Sequence, residues 1–391
     1  RQRTVRPPGI QELSKQPDEA LSRSTDGQHL IIGGPGTGKS VVALLRARRL
    51  VGDKMGHQFL VYNHVLHAST QQLFGQGLQA ATWERWFRAL FRQAVGEEIP
   101  THEPSRPGGD RPIDWHGVEQ RISMLPPEVS IDDPPHVVID EGQDMPPAFY
   151  RALVNLGFTN FYVVADQNQQ IHPEQCSSRQ DIETALGLDP GDVLELTGNY
   201  RNSYPVAVLA RAFYPTDPAS PPPELPPLTK AAKQPLLVPY GADTRFSLEW
   251  VAERMLKMAD RNPRKLIGVL TPNHQSRQAF FNALRNSHPR LDHEKATVQT
   301  YASGSQADLD FGKGGIMVIN AQSCKGLEFD TVFLADIDEH QPKRDQIALK
   351  ARFYVMVARA KEDVILLRSG PRCPTIESIL PPDTNILGRY Q

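Results

Sequence analysis

Cysteine is scarce in this chain of 391 residues, which contains only Cys176, Cys324 and Cys373. Three widely separated cysteines cannot give the paired spacing of a disulfide framework or a zinc site, and they indicate a reducing, cytoplasmic environment. A run of about 18 apolar residues is also missing, so no membrane span is expected. The basic N-terminus, RQRTVRPPG, lacks the apolar stretch of a signal peptide.

An excess of either charge sign is missing as well. Lys and Arg number 43, Asp and Glu number 45, and the formal net charge is -2. The chain therefore has no global basic field, and any binding of nucleic acid requires a local groove. Hydrophobic residues make up 39% of the chain, enough for sizeable cores, and the length predicts two or three domains.

Short apolar runs recur along the chain, and longer mixed segments separate them. Several of these segments, such as 40–51 and 246–259, have a helical pattern. Alternating strands and helices predict an α/β fold with parallel sheets covered by helices on both faces. The predicted strands are His29–Ile32, Gln58–Tyr62, His136–Ile139, Phe161–Ala165, Val193–Leu196, Leu236–Val238, Leu266–Leu270, Gly315–Ile319 and Thr331–Ala335.

Two segments interrupt this alternation. Residues 97–135 are rich in Pro, Gly and Asp, and the stretch Pro215–Pro227 contains seven prolines. Such a stretch forms neither a regular helix nor a central strand, so it is a loop or a polyproline-like connector. It is either a surface excursion of one domain or a tract that binds a partner.

A glycine-rich loop follows the first predicted strand and opens a helical stretch. This is the setting that the GxxxxGK[ST] pattern requires. The glycines let backbone N–H groups point at phosphate oxygens, and the helix N-terminus adds partial positive charge. Lys39 would contact the β- and γ-phosphates of ATP, and Ser40 would bind Mg²⁺. The loop consists of Gly33, Gly34, Pro35, Gly36, Thr37, Gly38, Lys39 and Ser40.

A pair of carboxylates follows the apolar strand His136–Ile139, in the sequence DEGQD. Asp140 is predicted to hold Mg²⁺ and Glu141 to act as the general base on the attacking water. An acidic strand-to-helix turn is the alternative. The phosphate loop about 100 residues upstream favours the catalytic interpretation.

DEGQD resembles the DExQD box of superfamily 1 helicases of the UvrD/Rep type. Further motifs resemble this family in its own order, with Ala165 in place of Gly and Ala358 in place of Thr. The resemblance spans roughly residues 11–367. The matching stretches are Leu13–Gln16 (LSKQ), Val164–Ile171 (VADQNQQI), Leu196–Arg201 (LTGNYR), Gln322–Phe329 (QSCKGLEF) and Tyr354–Lys361 (YVMVARAK).

The resemblance implies two RecA-like P-loop NTPase lobes with the nucleotide in the cleft between them. Lobe 1 would cover residues 1–192, with a small insertion at about 87–130, and lobe 2 would cover 193–391. Only about 115 residues separate the motifs at 202 and 318, so the large accessory insertion of UvrD/Rep-type enzymes is expected to be absent. Translocation is therefore better supported than processive unwinding.

The resemblance also assigns roles around ATP. Arg201 and Arg359 would be arginine fingers, whose forks can bind γ-phosphate oxygens bidentately. Gln169 would sense the γ-phosphate. The remaining nucleotide contacts would be Tyr200 stacked on adenine, Gln16 at the adenine edge, and Glu328 at the ribose beside Gly326.

Residues that follow several of the predicted β-strands are expected to contact single-stranded nucleic acid. Single strands are bound by aromatic stacking and by hydrogen bonds to phosphates. Trp83 and Trp86 lie near one such motif, but their spacing is also typical of core packing. The candidate contacts are Tyr62, Asn63, Thr82, His274, Thr300, Gln322 and Ser323.

The leading hypothesis is an ATP-dependent translocase or helicase that moves on single-stranded DNA, in DNA repair, replication or defence. By resemblance it would move 3′ to 5′. The alternative is a regulatory ATPase subunit that switches or loads a protein partner such as a nuclease. RNA remains open as the track, because no residue pattern distinguishes the 2′-hydroxyl.

Overall fold

The computed structural model describes residues 15–62, 77–104, 111–126, 131–166, 176–199, 201–215, 222–229, 232–301 and 309–390. The chain divides into two compact units. Of the described residues, the N-terminal unit comprises 15–33 and Lys39–Leu196, and the C-terminal unit comprises Gly34–Gly38 and the residues from Thr197 onward. In the ranges given above, no helix is long and apolar enough to cross a bilayer.

The described part of the N-terminal unit forms a six-stranded parallel sheet in the order β3-β2-β4-β5-β1-β6. Its strands are β1 (Gln28–Gly33), β2 (His57–Val61), β3 (Ala80–Thr82), β4 (His136–Ile139), β5 (Phe161–Ala165) and β6 (Leu194–Leu196). Its helices are α1 (Lys15–Ser22), α2 (Lys39–Gly52), α3 (Trp83–Val95), α4 (Trp115–Ser123), α5 (Pro147–Asn155) and α6 (Arg179–Leu186).

Both faces of this sheet are buried. Leu30 of β1 belongs to a core with α3, α4 and α5, whereas the adjacent Ile31 belongs to a second core with α2. Successive residues of a strand point to opposite faces, so a continuous apolar strand fills two cores. This explains why the strands appear in the sequence as unbroken apolar runs.

The strand β6 belongs to the sheet of the N-terminal unit, whereas the sequence prediction assigned its residues to lobe 2. It pairs with β1, with Ile31 opposite Leu194, and so belongs to the N-terminal sheet. The boundary placed at 192/193 assigned this strand to the second lobe, whereas the compact units divide between Leu196 and Thr197. The pairing of a short strand depends on distant residues, which local pattern does not reveal.

The described part of the C-terminal unit forms a seven-stranded parallel sheet in the order β13-β7-β12-β11-β8-β10-β9. Its strands are β7 (Leu236–Pro239), β8 (Leu266–Thr271), β9 (Val298–Thr300), β10 (Gly315–Asn320), β11 (Phe329–Leu334), β12 (Ala360–Arg368) and β13 (Gly388–Arg389). Its helices are α7 (Tyr204–Ala212), α8 (Leu248–Arg261), α9 (His274–Asn286), α10 (Gln346–Val357) and α11 (Pro374–Ile379).

The two sheets confirm the prediction of an α/β fold with parallel sheets covered by helices. The strand β12 was missed, although its apolar run Val364–Leu367 was a sufficient indication. In the proline-rich stretch, the described residues 222–229 form neither helix nor strand, as expected.

Candidate nucleotide site and candidate nucleic-acid interface

The phosphate loop and the acidic box follow two strands of the six-stranded sheet, and Asp166, to which sequence reasoning assigned no role, follows the strand between them. The phosphate loop follows β1, Asp166 follows β5, and Asp140 follows β4. Neighbouring strands lie about 4.8 Å apart, and ligands of open α/β sheets bind at the carboxyl ends of the strands. The sheet order therefore brings residues from distant parts of the sequence to one edge.

The phosphate loop has the backbone that its glycines allow. Gly36 and Gly38 have φ angles of 82° and 90°, in the left-handed region that side chains rarely adopt. The Thr37 hydroxyl donates to the carbonyl of Gly34 at 2.7 Å and closes the turn. The loop is thus curled in the manner that turns backbone N–H groups inward.

Lys39 lies among carboxylates in the N-terminal unit. Its Nζ atom is 3.5 Å from Oδ2 of Asp166, and both side chains are buried, with exposures of 7% and 0%. Asp140 hydrogen-bonds Ser40, and burial together with the charge of Glu141 raises the pKa of the Asp140 carboxyl. The two residues predicted to bind metal, Ser40 and Asp140, are therefore in direct contact.

Glu141 has a left-handed backbone, with φ 56° and ψ 44°. This conformation is costly for a non-glycine residue and occurs preferentially at functional sites. The side chain is 4% exposed, and its Oε2 accepts a hydrogen bond of 2.6 Å from Nε2 of Gln143. Gln143 also accepts from the backbone N–H of Asp166, so one amide joins β4 to β5. Sequence reasoning gave Gln143 no role.

The chemistry of this donor set fits a magnesium-triphosphate. Among the residues that the structure describes, Lys39 brings positive charge to the buried carboxylates of Asp140, Glu141 and Asp166. A divalent cation would offset the excess negative charge and favour ionised Asp140. Hard oxygen ligands are those that Mg²⁺ prefers, and Mg²⁺ is commonly held by few protein ligands plus phosphates. The residues present therefore fit the ATP and Mg²⁺ expected from the sequence.

The candidate nucleic-acid contacts of the N-terminal unit lie farther along the same carboxyl edge of its sheet. Tyr62 follows β2 and is 40% exposed, whereas Thr82 ends β3 and is 8% exposed. Trp83 packs in the core, with its ring centroid 5.2 Å from that of Phe149, and Trp86 packs against Phe158. Trp83 is thus a core residue and Trp86 is partly buried against the core, whereas Tyr62 is an exposed aromatic side chain that can stack on a base.

In the C-terminal unit, residues of three motifs meet in an ion-pair cluster. The Arg201 guanidinium is 2.6 Å from Oε1 of Glu328, and the Lys361 ammonium is 3.3 Å from Oε2. Burial alone would raise the pKa of Glu328, but the charges of Arg201 and Lys361 lower it to about 2. Glu328 therefore orients the predicted arginine finger, a contact that the expected ribose role did not include.

Arg359 lies near this cluster and is 1% exposed. Its Nε atom donates to the carbonyl of Val355 at 3.2 Å, and its charge further favours ionised Glu328. The left-handed turn at Gly326, with φ 74°, precedes Glu328. Two predicted arginine fingers and the predicted ribose contact are thus neighbours within one unit.

An asparagine turn fixes Arg201. Asn199 Oδ1 accepts from the backbone N–H groups of Arg201 and Asn202, and Asn202 donates to the carbonyl of Ala360 at 2.6 Å. The backbone of Gly36, which belongs to this same unit, lies against the turn: a Cβ atom there would be 2.6 Å from Asn199 Oδ1. Asn202 was missed, although it directly follows the NYR motif.

The candidate nucleic-acid contacts of the C-terminal unit lie at the carboxyl ends of three β-strands. His274 follows β8, Thr300 ends β9, and Gln322 and Ser323 follow β10, and these three strands are neighbours. In contrast, Glu328 directly precedes β11. The six residues of β11 span about 20 Å at about 3.3 Å per residue. The predicted nucleic-acid contacts and the predicted ATP contact Glu328 therefore lie at opposite ends of the strands of one sheet.

Some predicted residues lie outside the described residues, namely Asn63, Gln169 and Tyr200. Gln16 lies in the first turn of α1. The end of this helix is tied to α2, because the buried Arg46 donates to the carbonyls of Arg23 and Ser24. Arg46 also lies over the ring of Tyr162, 4.6 Å from its centroid. Sequence reasoning missed this link between α1 and the helix after the phosphate loop.

Residues 315–367 match the family of UvrD-like helicase C-terminal domains. This part of the C-terminal unit is therefore similar to a UvrD-like helicase C-terminal domain. This finding confirms the UvrD/Rep-type resemblance and supports a nucleic-acid helicase or translocase that hydrolyses nucleoside triphosphate. The match begins with β10 and ends in β12, so the UvrD-like domain includes Gln322, Glu328 and Arg359.

Two solved structures resemble the chain. One is the C-terminal domain of a possible DNA helicase from Lactobacillus plantarum WCFS1, with TM-score 0.34, 15% identity, and coverage of 50% of this chain and 100% of that one. The other is the arterivirus nonstructural protein 10 helicase in complex with DNA, with TM-score 0.37, 14% identity, and coverage of 94% of this chain and 65% of that one. Both scores are too low to carry a functional conclusion. No curated protein matches the sequence.

Proposed function

We propose that this protein is an ATP-dependent translocase or helicase that moves on single-stranded DNA. The observation that carries the proposal is that Lys39, Asp140 and Glu141 are buried at one sheet edge, where Asp140 hydrogen-bonds Ser40, in a chain whose residues 315–367 match the UvrD-like helicase C-terminal domain. By family resemblance the movement is 3′ to 5′, and the pathway is DNA repair, replication or defence.

Each residue of this assembly has one task in hydrolysis. Lys39 and the loop N–H groups bind the β- and γ-phosphates, and Ser40 and Asp140 would hold Mg²⁺, which would neutralise charge that develops on the phosphates. Glu141 orients the attacking water and accepts its proton. The short bond from Gln143 fixes the Glu141 carboxylate for this task.

By family resemblance, Arg201 and Arg359 would supply positive charge to the γ-phosphate. Glu328 and the Asn199 turn hold the Arg201 side chain and backbone in place before nucleotide binds. Removal of an arginine finger costs about 10³-fold or more in turnover, so Arg201→Ala is expected to show a loss of that size. Gln16, Tyr200 and Glu328 remain proposed contacts to adenine and ribose.

Coupling to the track requires a physical link between the edges of the C-terminal sheet. Gln322 and Ser323 lie at the carboxyl edge, and the same short segment reaches Glu328 at the amino edge before β11 begins. A shift of this segment would move a strand contact and the partner of Arg201 together. Such a shared two-state element is what coupling of ATP hydrolysis to movement needs.

The test is the ATPase rate measured in parallel with no nucleic acid, single-stranded DNA, duplex DNA and RNA. A DNA motor is expected to hydrolyse ATP much faster with single-stranded DNA and to displace streptavidin from a biotinylated strand end. A regulatory ATPase subunit would show little stimulation by any nucleic acid, and that result would contradict the proposal. Stimulation by RNA alone would change the track from DNA to RNA.

Glu141→Gln provides the matched mechanistic test. Loss of the base is expected to abolish turnover and to leave ATP binding intact, because Gln keeps the shape of the side chain. Glu183→Gln is the control, since Glu183 is also buried in the N-terminal unit, at 8% exposure, but pairs with Arg179 away from the site. Wild-type turnover in Glu141→Gln would remove this residue from the role of base.

A further inference from the structure

A buried arginine joins two of the candidate strand contacts in the C-terminal unit. Arg277 lies one turn into α9 and is 3% exposed. Its Nη1 atom donates to Oγ1 of Thr300 at 2.6 Å, and its Nη2 atom lies 2.8 Å from Nδ1 of His274. No carboxylate pairs with Arg277 among the residues that the structure describes, and its Nε atom is buried there without a partner.

The guanidinium determines which nitrogen of His274 carries the proton. A guanidinium donates hydrogen bonds and never accepts them, so Nδ1 of His274 must be the acceptor. The ring proton of neutral His274 is therefore on Nε2, and Nε2–H is a donor. The His274 side chain is exposed, so this donor faces solvent at the carboxyl edge of the sheet.

The hydroxyl of Thr300 is engaged within the fold. It donates to the carbonyl of Val318 at 2.8 Å and accepts from Arg277. A hydroxyl has one proton to donate, so none is left for a phosphate oxygen. Of the two side chains that Arg277 contacts, His274 alone retains a donor for a ligand.

We propose that Arg277 is a positioning residue that fixes His274 so that its Nε2–H donates to a backbone phosphate of the bound nucleic-acid strand. This inference rests on the proposed nucleic-acid function and names the atom that makes the contact. Arg277 acts through His274 and does not itself touch the strand. Its buried positive charge adds a favourable potential for the phosphate above it.

Replacement of His274 by Gln or by Asn distinguishes the roles of its ring atoms Nε2 and Nδ1. The amide of Gln reaches the position of Nε2, whereas the shorter Asn amide reaches that of Nδ1. Binding is measured as the Kd for a fluorescein-labelled single-stranded oligothymidylate, by anisotropy at one fixed salt concentration. His274→Gln keeps a donor near the Nε2 position but loses the Nδ1 acceptor of Arg277, so it is expected to bind more weakly than wild type and more tightly than His274→Asn. His274→Asn is expected to bind on the order of tenfold more weakly than wild type, which corresponds to about 1.4 kcal/mol.

Arg277→Lys tests the positioning role, because it keeps the charge and loses the two-pronged fork. It is expected to weaken binding about as much as His274→Asn. The double variant, Arg277→Lys with His274→Asn, is expected to bind the oligonucleotide no more weakly than either single variant, because both substitutions remove the same contact to the phosphate. His288→Asn is the control: His288 is an exposed histidine just beyond the other end of α9. It should leave Kd unchanged.

Equal binding by the Gln and Asn variants of His274, or additive losses in the double variant, would overturn the inference while the proposed function stands. Failure of the intact chain to bind the oligonucleotide would overturn both. Thermal unfolding shows whether each variant folds. If Arg277→Lys does not fold, the two His274 variants, whose side chain is exposed, still decide the question.

Discussion

Replacement of Glu328 by Gln tests the ion-pair cluster of the C-terminal unit. The charges of Arg201 and Lys361 lower the pKa of Glu328 from an ordinary 4.5 to about 2. A change of this size amounts to about 3 kcal/mol, at about 1.4 kcal/mol for each pH unit. Because the Glu328 side chain is 35% exposed, water screens part of the interaction, and about 1–2 kcal/mol is expected to remain.

The expected effect of Glu328→Gln therefore depends on pH. A carboxyl whose folded-state pKa is lowered stabilises the fold above its unfolded pKa, and this stabilisation is lost as pH falls through the folded value. At pH 7 the variant should be less stable by about 1–2 kcal/mol, which is about 2–8 °C in Tm for a unit of this size. The difference should shrink between about pH 4.5 and about pH 2.

Urea and thermal unfolding of both proteins from pH 7 to the lowest pH at which they remain folded measure this difference. Glu362→Gln is the matched control, because Glu362 pairs with Lys265 in the same unit but is 46% exposed. An exposed pair of this kind is worth about 0–1 kcal/mol. If Glu328→Gln matched its control at pH 7, or if its deficit did not change with pH, the proposed hold of Glu328 on Arg201 would be refuted.

Two further predictions concern the N-terminal unit. A Cβ atom at Gly142 would lie 2.4 Å from Cγ1 of Val163, so Gly142→Ala is expected to lower the free energy of unfolding in urea by about 1–3 kcal/mol. Gly191→Ala, where nothing lies within 4 Å, should be close to neutral, and equal effects would contradict this reasoning. Trp83→Ala should cost about 3–5 kcal/mol, since Trp83 packs on Phe149 at 9% exposure. Trp83→Phe should bind single-stranded DNA like wild type, and weaker binding at unchanged stability would make Trp83 a strand contact.

The sequence by itself determined the local parts of this protein. Apolar runs predicted the buried strands, because a strand covered on both faces needs apolar residues at every position. The glycines at 36 and 38 predicted a curled phosphate loop, because only glycine adopts its φ angles at low cost. The motif order predicted a resemblance to UvrD/Rep-type helicases, which the family match over residues 315–367 confirms.

Tertiary structure alone decided which of these parts meet. Sheet order is set by packing between distant residues, so the sequence could not show that β6 pairs with β1. Nor could it show that Glu328 binds Arg201, since 127 residues of chain separate them. The hydrogen bond that Thr300 accepts, and the ring nitrogen of His274 that carries the proton, are likewise set by contacts with Arg277. A side chain's residue type sets what it can donate or accept, but its neighbours in space decide which of those bonds it makes.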